Sequence, residues 1–368
     1  MKHPQLTVRG VRARTVSVPM RRPLGTSATM MTAAPFLLVD LYTEEGITGR
    51  AHAFCYLDIA APMMRRVLET AGELIVGVPL DPERIRRVCQ DHFALLGVHG
   101  VVAMVVSALD VACWDALSNA AKLPLARYLG EATETIPSYN SNGLSVRRSD
   151  GDPGQIAEEA NELLESGFNA LKIRLGRDNS REDLAAVRAV RSAIPSESFL
   201  MSDYNQALSV EEALERGREL EEESLYWIEE PVAHDDFAGS SEVAQALGTP
   251  IQTGENFWGP DILATAIAMT AMDYVMVDLM RIGGVSGWLR AAALAEKARI
   301  PMSSHLYPEV SAHLLGVTPT AHWLEYVDWA EAFITAPVLI SQGNAKVPED
   351  PGTGVIWDED AVAHYATD

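Results

Sequence analysis

Three acidic positions recur 26 residues apart, each at the end of a short β-prone run of the 368-residue chain. Asp203 ends the run FLMSD, Glu229 and Glu230 follow LYWI, and Glu255 ends PIQTGE. Three carboxylates that converge repel one another and raise one another's pKa values unless a cation lies between them. Mg²⁺ takes oxygen ligands in an octahedron, so the spacing predicts a magnesium site on Asp203, Glu229 and Glu255. Taken singly, each acid could instead be a helix N-cap or a loop residue.

The next runs of this kind end in a carboxylate and an imidazole. Asp278 ends DYVMVD and His305 ends PMSSH. A carboxylate orients an imidazole and raises its proton affinity, which makes a general base. Glu325 ends the following run, AHWLE, and we expect it to face the same site. The histidines without such a neighbour are expected to be structural: His234, His313 and His322.

Two cations occupy alternate positions in the run ALKIR, and alternate side chains of a strand point to the same face. Lys172 and Arg174 therefore share one face of an otherwise apolar strand. Burial of two like charges on one face is unfavourable for folding unless negative charge lies close to them. We therefore predict that both cations face the acids and an anionic substrate. Arginine has a pKa above about 12 and is a poor base, whereas a buried lysine can give up its proton.

The elements that position these residues alternate between strand-like and helical patterns from about residue 135. Eight short β-prone runs separated by helical segments are typical of a parallel (β/α) barrel, where functional side chains lie at the carboxyl ends of the strands. An open doubly wound sheet is the alternative, but no G-x-G-x-x-G turn follows a strand. We assign residues 133–330 to the barrel.

The two ends of the chain have other patterns. Residues 1–132 read as an α+β domain, with strand-like runs that turn at Glu45-Gly46 and helical patterns after them. Residues 331–368 are rich in Gly and Pro, and we expect this C-terminal segment to pack back on the N-terminal domain.

The composition, with 48% hydrophobic and 22% charged residues, is that of a globular protein. A formal net charge of −22 argues against a nucleic-acid partner, although local cations or a metal can still admit a small anion. No apolar run approaches the roughly 18–20 residues of a membrane span. The N-terminus lacks a signal-peptide core, and three scattered cysteines fit a reducing compartment. We predict a cytoplasmic homo-oligomer that acts on a small-molecule carboxylate, without a membrane partner.

Six motifs together resemble the enolase superfamily and, within it, the mandelate racemase subgroup. The resemblance covers nearly the whole chain, and the motifs are SDYNQALS, WIEEP, GENFWGP, MRIGGVSGW, PMSSHL and TPTAHWLE. The resemblance implies a (β/α)7β TIM-like barrel with an N-terminal α+β capping domain. It also implies abstraction of the proton α to a carboxylate, with the enediolate stabilised on Mg²⁺ held by Asp203, Glu229 and Glu255.

The resemblance carries further residues of the site. Asp278 and His305 match the dyad of the subgroup, and Lys172 matches the first lysine of its K-x-K motif. Glu325 matches the acid that donates a proton to a hydrogen bond with the substrate carboxylate. Two other polar positions of the site are matched: Asn205 and Ser141.

Arg174 departs from this pattern, because the second cation of K-x-K is a lysine base on the face opposite the histidine. A fixed guanidinium leaves His305 as the one competent base, which favours a stereospecific dehydratase that converts an acid sugar or related hydroxy acid to a 2-keto-3-deoxy acid. The alternatives are a racemase or epimerase of an α-hydroxy acid and a catalytically inactive barrel that binds one. Asp278 occupies the place of the lysine base in muconate-lactonising enzymes and dipeptide epimerases, which argues against those branches.

The substrate pocket is expected to involve the N-terminal domain. The segment 20–35, MRRPLGTSATMMTAAP, is predicted to supply a lid loop, because small residues allow it to move. Arg21 and Arg22 could meet the second carboxylate of a diacid sugar or lie in a solvated turn. An apolar lining favours an aromatic or small hydroxy acid instead, and we expect it from four side chains: Leu24, Met31, Tyr56 and Leu306.

Overall fold

Residues 4–26, 29–144 and 153–367 are described by the computed structural model of the chain. The N-terminal part begins with an antiparallel sheet of three strands, in the order β1–β2–β3. The turn at Glu45-Gly46 is where the sequence predicts it, and Gly46 has a φ of +81°, which glycine adopts without steric cost. The strands are β1 (Val8–Gly25), β2 (Met30–Thr43) and β3 (Thr48–Phe54).

The segment 20–35 is mostly strand, which differs from the expected lid loop. The pairing of β1 with β2 reaches Leu24 opposite Met31, after a register shift, and so forms a hairpin beyond the main sheet. Ser27 and Ala28, at the tip of this hairpin, lie outside the described residues. Closure of the hairpin over the site stays a prediction.

Four helices complete the N-terminal part. The longest is apolar enough to cross a membrane by length and composition, but 78% of its most apolar window is buried inside the protein. It packs against β3 and the barrel, as a core helix does. The helices are α1 (Ala60–Ile75), α2 (Pro82–Phe93), α3 (Gly100–Ala121) and α4 (Leu125–Leu129).

Eight parallel strands form the predicted barrel. The first seven pair in chain order, and the eighth pairs with the first. Ser304 of the seventh strand donates its backbone N–H to Trp323 O beside the eighth, which closes the ring. The strands are β4 (Thr135–Asn140), β5 (Ala170–Arg174), β6 (Phe199–Asp203), β7 (Ile228–Glu229), β8 (Ile251–Thr253), β9 (Tyr274–Asp278), β10 (Met302–His305) and β11 (Leu324–Tyr326).

The strand register sets several functional side chains at one level. Arg174 is the register partner of Asp203, and Asp203 is the partner of Glu229. Asp278 and His305 are partners in the same way across β9 and β10. All of these residues end their strands, so side chains far apart in sequence meet at the carboxyl end of the barrel.

Helices join successive barrel strands on the outside. Among the described residues, every such connection contains an α-helix, and none follows β11 until the C-terminal segment, which is the predicted (β/α)7β order. Local signals start the helices; Ser209 and Glu212, for example, form a capping box. The helices are α5 (Pro153–Glu165), α6 (Ser180–Ala193), α7 (Val210–Leu220), α8 (Phe237–Ala246), α9 (Pro260–Ala268), α10 (Leu279–Ile282), α11 (Gly284–Ala298) and α12 (Pro308–Gly316).

The C-terminal segment returns to the N-terminal sheet. Its short hairpin pairs with β4, and the following residues reach β1. Arg14 of β1 forms ion pairs with Asp40 and Glu359, while Trp357 donates its indole N–H to Asp40 at 2.8 Å. These contacts hold the two ends of the chain together. The elements of the segment are β12 (Ile340–Ser341), β13 (Asn344–Lys346) and α13 (Glu359–Tyr365).

Candidate active site

Three strand ends bring carboxylates together at the carboxyl end of the barrel. One oxygen from each of Asp203, Glu229 and Glu255 lies within 4.8 Å of the others, and all three residues are buried. Burial raises the pKa of Glu229 to about 8 against the attraction of Lys172, and repulsion from Asp203 and Glu255 adds to the rise. Three buried oxygen ligands at this spacing fit a divalent cation such as Mg²⁺.

Neighbouring donors hold two of these carboxylates in place. Glu229 Oε2 accepts hydrogen bonds from Trp227 Nε1 and Gln252 Nε2, both at 3.1 Å. Asp203 Oδ1 accepts the backbone N–H of Asn205 at 2.7 Å, and its Oδ2 accepts the side-chain amide at 3.1 Å. Asn205 thus supports the cation site directly.

The third carboxylate, Glu255, depends on the glycine before it. Gly254 has a φ of +132°, and a Cβ there would lie 2.6 Å from Met276 O. Any other residue would therefore displace the backbone from which Glu255 reaches the cation site.

The two cations of β5 occupy different surroundings. Lys172 is fully buried, with Nζ 2.5 Å from Glu229 Oε1 and 2.7 Å from Glu325 Oε1. Burial alone would lower the pKa of Lys172, but the two glutamates raise it above its usual value. Arg174 bonds to Asp203 and Ser141 and lines the cavity above. Lys172 is absent from the described cavity lining, so only the arginine has the predicted exposure to substrate.

His305 and Asp278 form the predicted pair. His305 Nδ1 lies 2.7 Å from Asp278 Oδ2, and the other oxygen of Asp278 accepts two backbone N–H groups of the following turn. This geometry assigns the proton to Nδ1 and leaves Nε2 to accept one. Burial alone would lower the pKa of His305, but Glu255, Glu325 and Asp278 raise it to about 9. A cation held by Glu255 would offset the increase that this carboxylate causes in the pKa of His305.

Glu325 differs from the neutral acid that the resemblance implies. Its Oε1 contacts Lys172 and accepts the Ser141 hydroxyl at 2.7 Å, and its Oε2 accepts the backbone N–H of Leu306 at 2.9 Å. Burial alone would raise the pKa of Glu325, but Lys172, His305 and Arg174 lower it well below its usual range. In this arrangement Glu325 is an ionised acceptor.

A cavity of about 250 Å³ lies above these groups. Five residues predicted for the substrate site line it: Leu24, Met31, Tyr56, Asn205 and Leu306. Sequence reasoning missed other parts of the wall: Phe54, Leu57, Gln206, Asn256, Arg281 and Trp329. Phe54 ends β3 two residues before the predicted Tyr56, and this closeness in sequence is its only signal. Trp329 follows the last barrel strand, and no sequence feature marks it.

Arg21 and Arg22 meet acids of the barrel. Arg21 lies 3.3 Å from Asp328, and Arg22 lies 2.8 Å from Glu162. Neither arginine is part of the cavity lining in the described residues. If the substrate is a diacid, its second carboxylate would therefore need a cation other than Arg21 or Arg22.

Left-handed backbone conformations cluster around the site. Twelve of the described residues other than glycine have positive φ, and six of them lie near the site, with φ between +37° and +64°: Tyr56, Asn205, Gln206, Glu230, Leu306 and Tyr307. Such conformations are costly outside glycine and concentrate where function requires them. They turn the chain sharply after β3, β6, β7 and β10, which aims the adjoining side chains at the cavity.

Two family models together match most of the chain. The model described as mandelate racemase / muconate lactonizing enzyme, N-terminal domain, matches residues 8–130. The model described as enolase C-terminal domain-like matches residues 155–361. The boundary between them falls near the start of the barrel.

Individual relatives agree with the family models. An enolase from alpha proteobacterium bal199, solved with bound Mg, superposes with a TM-score of 0.94 at 41% identity, covering 98% of this chain and all of that one. An enolase from Bradyrhizobium, complexed with magnesium and mandelic acid, gives 0.92 at 38% identity and 99% coverage of both chains. L-talarate/galactarate dehydratase of Salmonella typhimurium LT2 is 29% identical over 90% of this chain and 82% of its own length.

The fold, the relatives and the three carboxylates Asp203, Glu229 and Glu255 (the carboxylate trio) agree on the broad activity. The protein is an Mg²⁺-dependent enzyme with dehydratase or racemase/isomerase activity. It belongs to the mandelate racemase / muconate lactonizing enzyme family of the enolase superfamily.

Proposed function

We propose that this enzyme dehydrates a hydroxy acid that carries hydroxyls at both the α and β carbons, to give a 2-keto-3-deoxy acid. The observation that supports this most is the pairing of one Asp–His dyad with one buried arginine around the same cavity. The dyad can take a proton and return it, whereas the guanidinium of Arg174 can only hold charge.

Asp203, Glu229 and Glu255 would hold Mg²⁺ through their facing oxygens. The cation, when bound, supplies electrophilic stabilisation of the charge that develops on the substrate carboxylate. Arg174 adds a fixed positive charge beside it. Lys172 lies below the cavity floor, where its charge neutralises Glu229 and Glu325. The acids can therefore remain close together without substrate.

His305 then carries out the proton transfers. Its Nε2 takes the α-proton, and Asp278 stabilises the imidazolium through Nδ1. The electron pair of the broken C–H bond forms the C=C bond as the β C–O bond breaks. The imidazolium returns its proton to the departing hydroxyl, which leaves as water, and the resulting enol tautomerises to the keto acid.

A second candidate, racemisation of an α-hydroxy acid, has its own support. Much of the cavity wall is apolar, with Phe54, Leu57 and Trp329 beside the predicted Leu24 and Met31. The Bradyrhizobium relative, at 38% identity, is complexed with mandelic acid. A racemase needs a second proton carrier opposite His305, which Arg174 does not provide.

Incubation of the Mg²⁺-loaded protein with a library of acid sugars and aryl hydroxy acids tests the proposal. A 2-keto acid product, detected as its semicarbazone, supports dehydration. Deuterium incorporation at C2 with inversion and no keto acid supports racemisation. Binding without turnover or exchange would indicate the third possibility, an inactive barrel.

A further inference from the structure

Arg281 is a largely buried cation at the edge of the site, with 11% of its side chain exposed. Its Nη1 donates to the backbone oxygen of Glu255 at 3.0 Å and to Asn256 Oδ1 at 2.6 Å. The guanidinium also packs on aromatic rings, with its carbon 4.7 Å from the ring centre of Tyr56 and 5.8 Å from that of Trp258. Arg281 also lines the cavity.

The loop 255–259 is attached to Arg281 at both ends. The side chain binds the first residue of the loop, and Gly259 N–H donates to the backbone oxygen of Arg281 at 3.0 Å. Asn256 connects Arg281 to the neighbouring strand end, because its side-chain amide donates to both oxygens of Glu230 at 2.9 and 2.8 Å. The backbone from which Glu255 reaches the cation site is therefore held at both ends of the loop by Arg281.

The backbone of the same arginine also fixes the base. Arg281 N–H donates to Asp278 Oδ1 at 3.0 Å, as part of the N-cap of α10. Asp278 Oδ2 holds His305, whose Nε2 lies 3.2 Å from Glu255 Oε2. The four residues Arg281, Asp278, His305 and Glu255 thus form a closed ring of contacts.

We propose that Arg281 is a positioning residue that sets the separation between the carboxylate Glu255 and the base His305. The side chain sets the place of Glu255 in the cation site, and the backbone N–H sets the orientation of Asp278. The roles of Glu255 and His305 come from the proposed function, but the effect on cation binding does not depend on which product forms. Charge alone is insufficient for this task, because the planar guanidinium is held against the rings of Tyr56 and Trp258, and a lysine ammonium cannot reproduce this packing while Nη1 meets its two acceptors.

Substitution of Arg281 by lysine keeps the charge and removes the planar guanidinium. Metal-free Arg281→Lys should bind Mg²⁺ about 10–100-fold more weakly than wild type by titration calorimetry, the usual cost of losing a partner that orients a metal ligand. Arg290→Lys, at an exposed position on α11, is the matched control and should bind Mg²⁺ within about twofold of wild type. Thermal unfolding of each variant separates loss of fold from loss of the cation site.

Asn256→Ser removes one of the two acceptors of Arg281 Nη1 at a half-buried position and leaves the arginine itself unchanged. We expect a smaller loss of Mg²⁺ affinity, and this variant decides the question if Arg281→Lys does not fold. Because Mg²⁺ alone is the probe, a wild-type protein that binds Mg²⁺ but forms no keto acid refutes the dehydratase proposal and leaves this test intact. Wild-type Mg²⁺ affinity in the folded variants would overturn the positioning role.

Discussion

Arg174 and Asp203 are register partners on neighbouring strands, and their side chains form a direct ion pair at the carboxyl end of the barrel. A second N–H of the guanidinium is 2.9 Å from the Ser141 hydroxyl. Burial alone would lower the pKa of Arg174, but Asp203 and the other acids raise it. The residue that would be a second base in a two-base enzyme is thereby fixed in its protonated form.

Exchange of the substrate α-proton with solvent should therefore occur from one face only. In deuterated water, we expect the wild-type enzyme to exchange the α-proton of substrate with one C2 configuration only. Proton NMR measures this exchange. Arg174→Lys keeps a positive charge but installs a group that can lose its proton, so this variant should begin to exchange the opposite enantiomer. Comparable exchange of both enantiomers by the wild type would favour the racemase.

Loss of either member of the dyad should stop proton transfer without loss of the cation site. His305→Asn should abolish both exchange and turnover. Asp278→Asn leaves an imidazole without its carboxylate partner, and kcat should fall by about 10²–10⁴. Mg²⁺ affinity should change little in either variant, with the exposed His364→Asn as control. Retained exchange in His305→Asn would show that another group is the base.

The carboxylate trio should be required for Mg²⁺ binding. Asp203→Asn, Glu229→Gln and Glu255→Gln each remove one anionic ligand, and each should abolish turnover and detectable calorimetric binding. The exposed Asp261→Asn should behave as wild type. Chelation with EDTA should inactivate the wild type, and added Mg²⁺ should restore it. A variant of the trio that binds Mg²⁺ normally would remove that residue from the proposed ligand set.

A buried carboxylate away from the site should make stability depend on pH. Burial raises the pKa of Asp110 to about 7, despite hydrogen bonds from Ser286. The folded state then holds this proton between about pH 4 and pH 7 while the unfolded state releases it, so the group's contribution to stability falls as the pH rises through this range. The total is roughly 4 kcal/mol for a shift of about three units.

Asp110→Asn removes this titration, so differential scanning calorimetry of both proteins at pH 5 and pH 8 tests the effect. The difference in Tm, wild type minus variant, should be smaller or more negative at pH 8. An equal difference at the two pH values would mean that Asp110 is ionised in the folded protein throughout.

The positions of the candidate reacting groups follow from the sequence because each of them lies at or just after the end of a barrel strand. One acid per strand end at a constant spacing is enough to bring Asp203, Glu229 and Glu255 together, and the same logic joins Asp278 to His305. The depth of a side chain is harder to predict. Lys172 and Arg174 share a face, yet only the structure shows that one is sealed between two glutamates and the other lines the cavity.

Features that depend on loops and on contacts between strands were not predictable in this way. The ionisation of Glu325 depends on Lys172, which comes from a strand about 150 positions earlier. The reach of Arg281 back to Glu255 follows from a short helix turn that no sequence period marks. The small residues of segment 20–35 are typical of a loop, but the end of β1 and the start of β2 pair with each other within this segment and form a hairpin.

The origin of the cavity wall bears on how the enzyme can diversify. Leu24, Met31, Phe54 and Tyr56 come from the N-terminal sheet, whereas the dyad, the cations and the carboxylates come from the barrel. Part of the wall that governs selectivity and the reacting groups therefore come from different parts of the chain. Drift or grafting in the hairpin can alter which acid is admitted without disturbing the proton-transfer apparatus, so new preferences are accessible through a few substitutions far from the barrel strands.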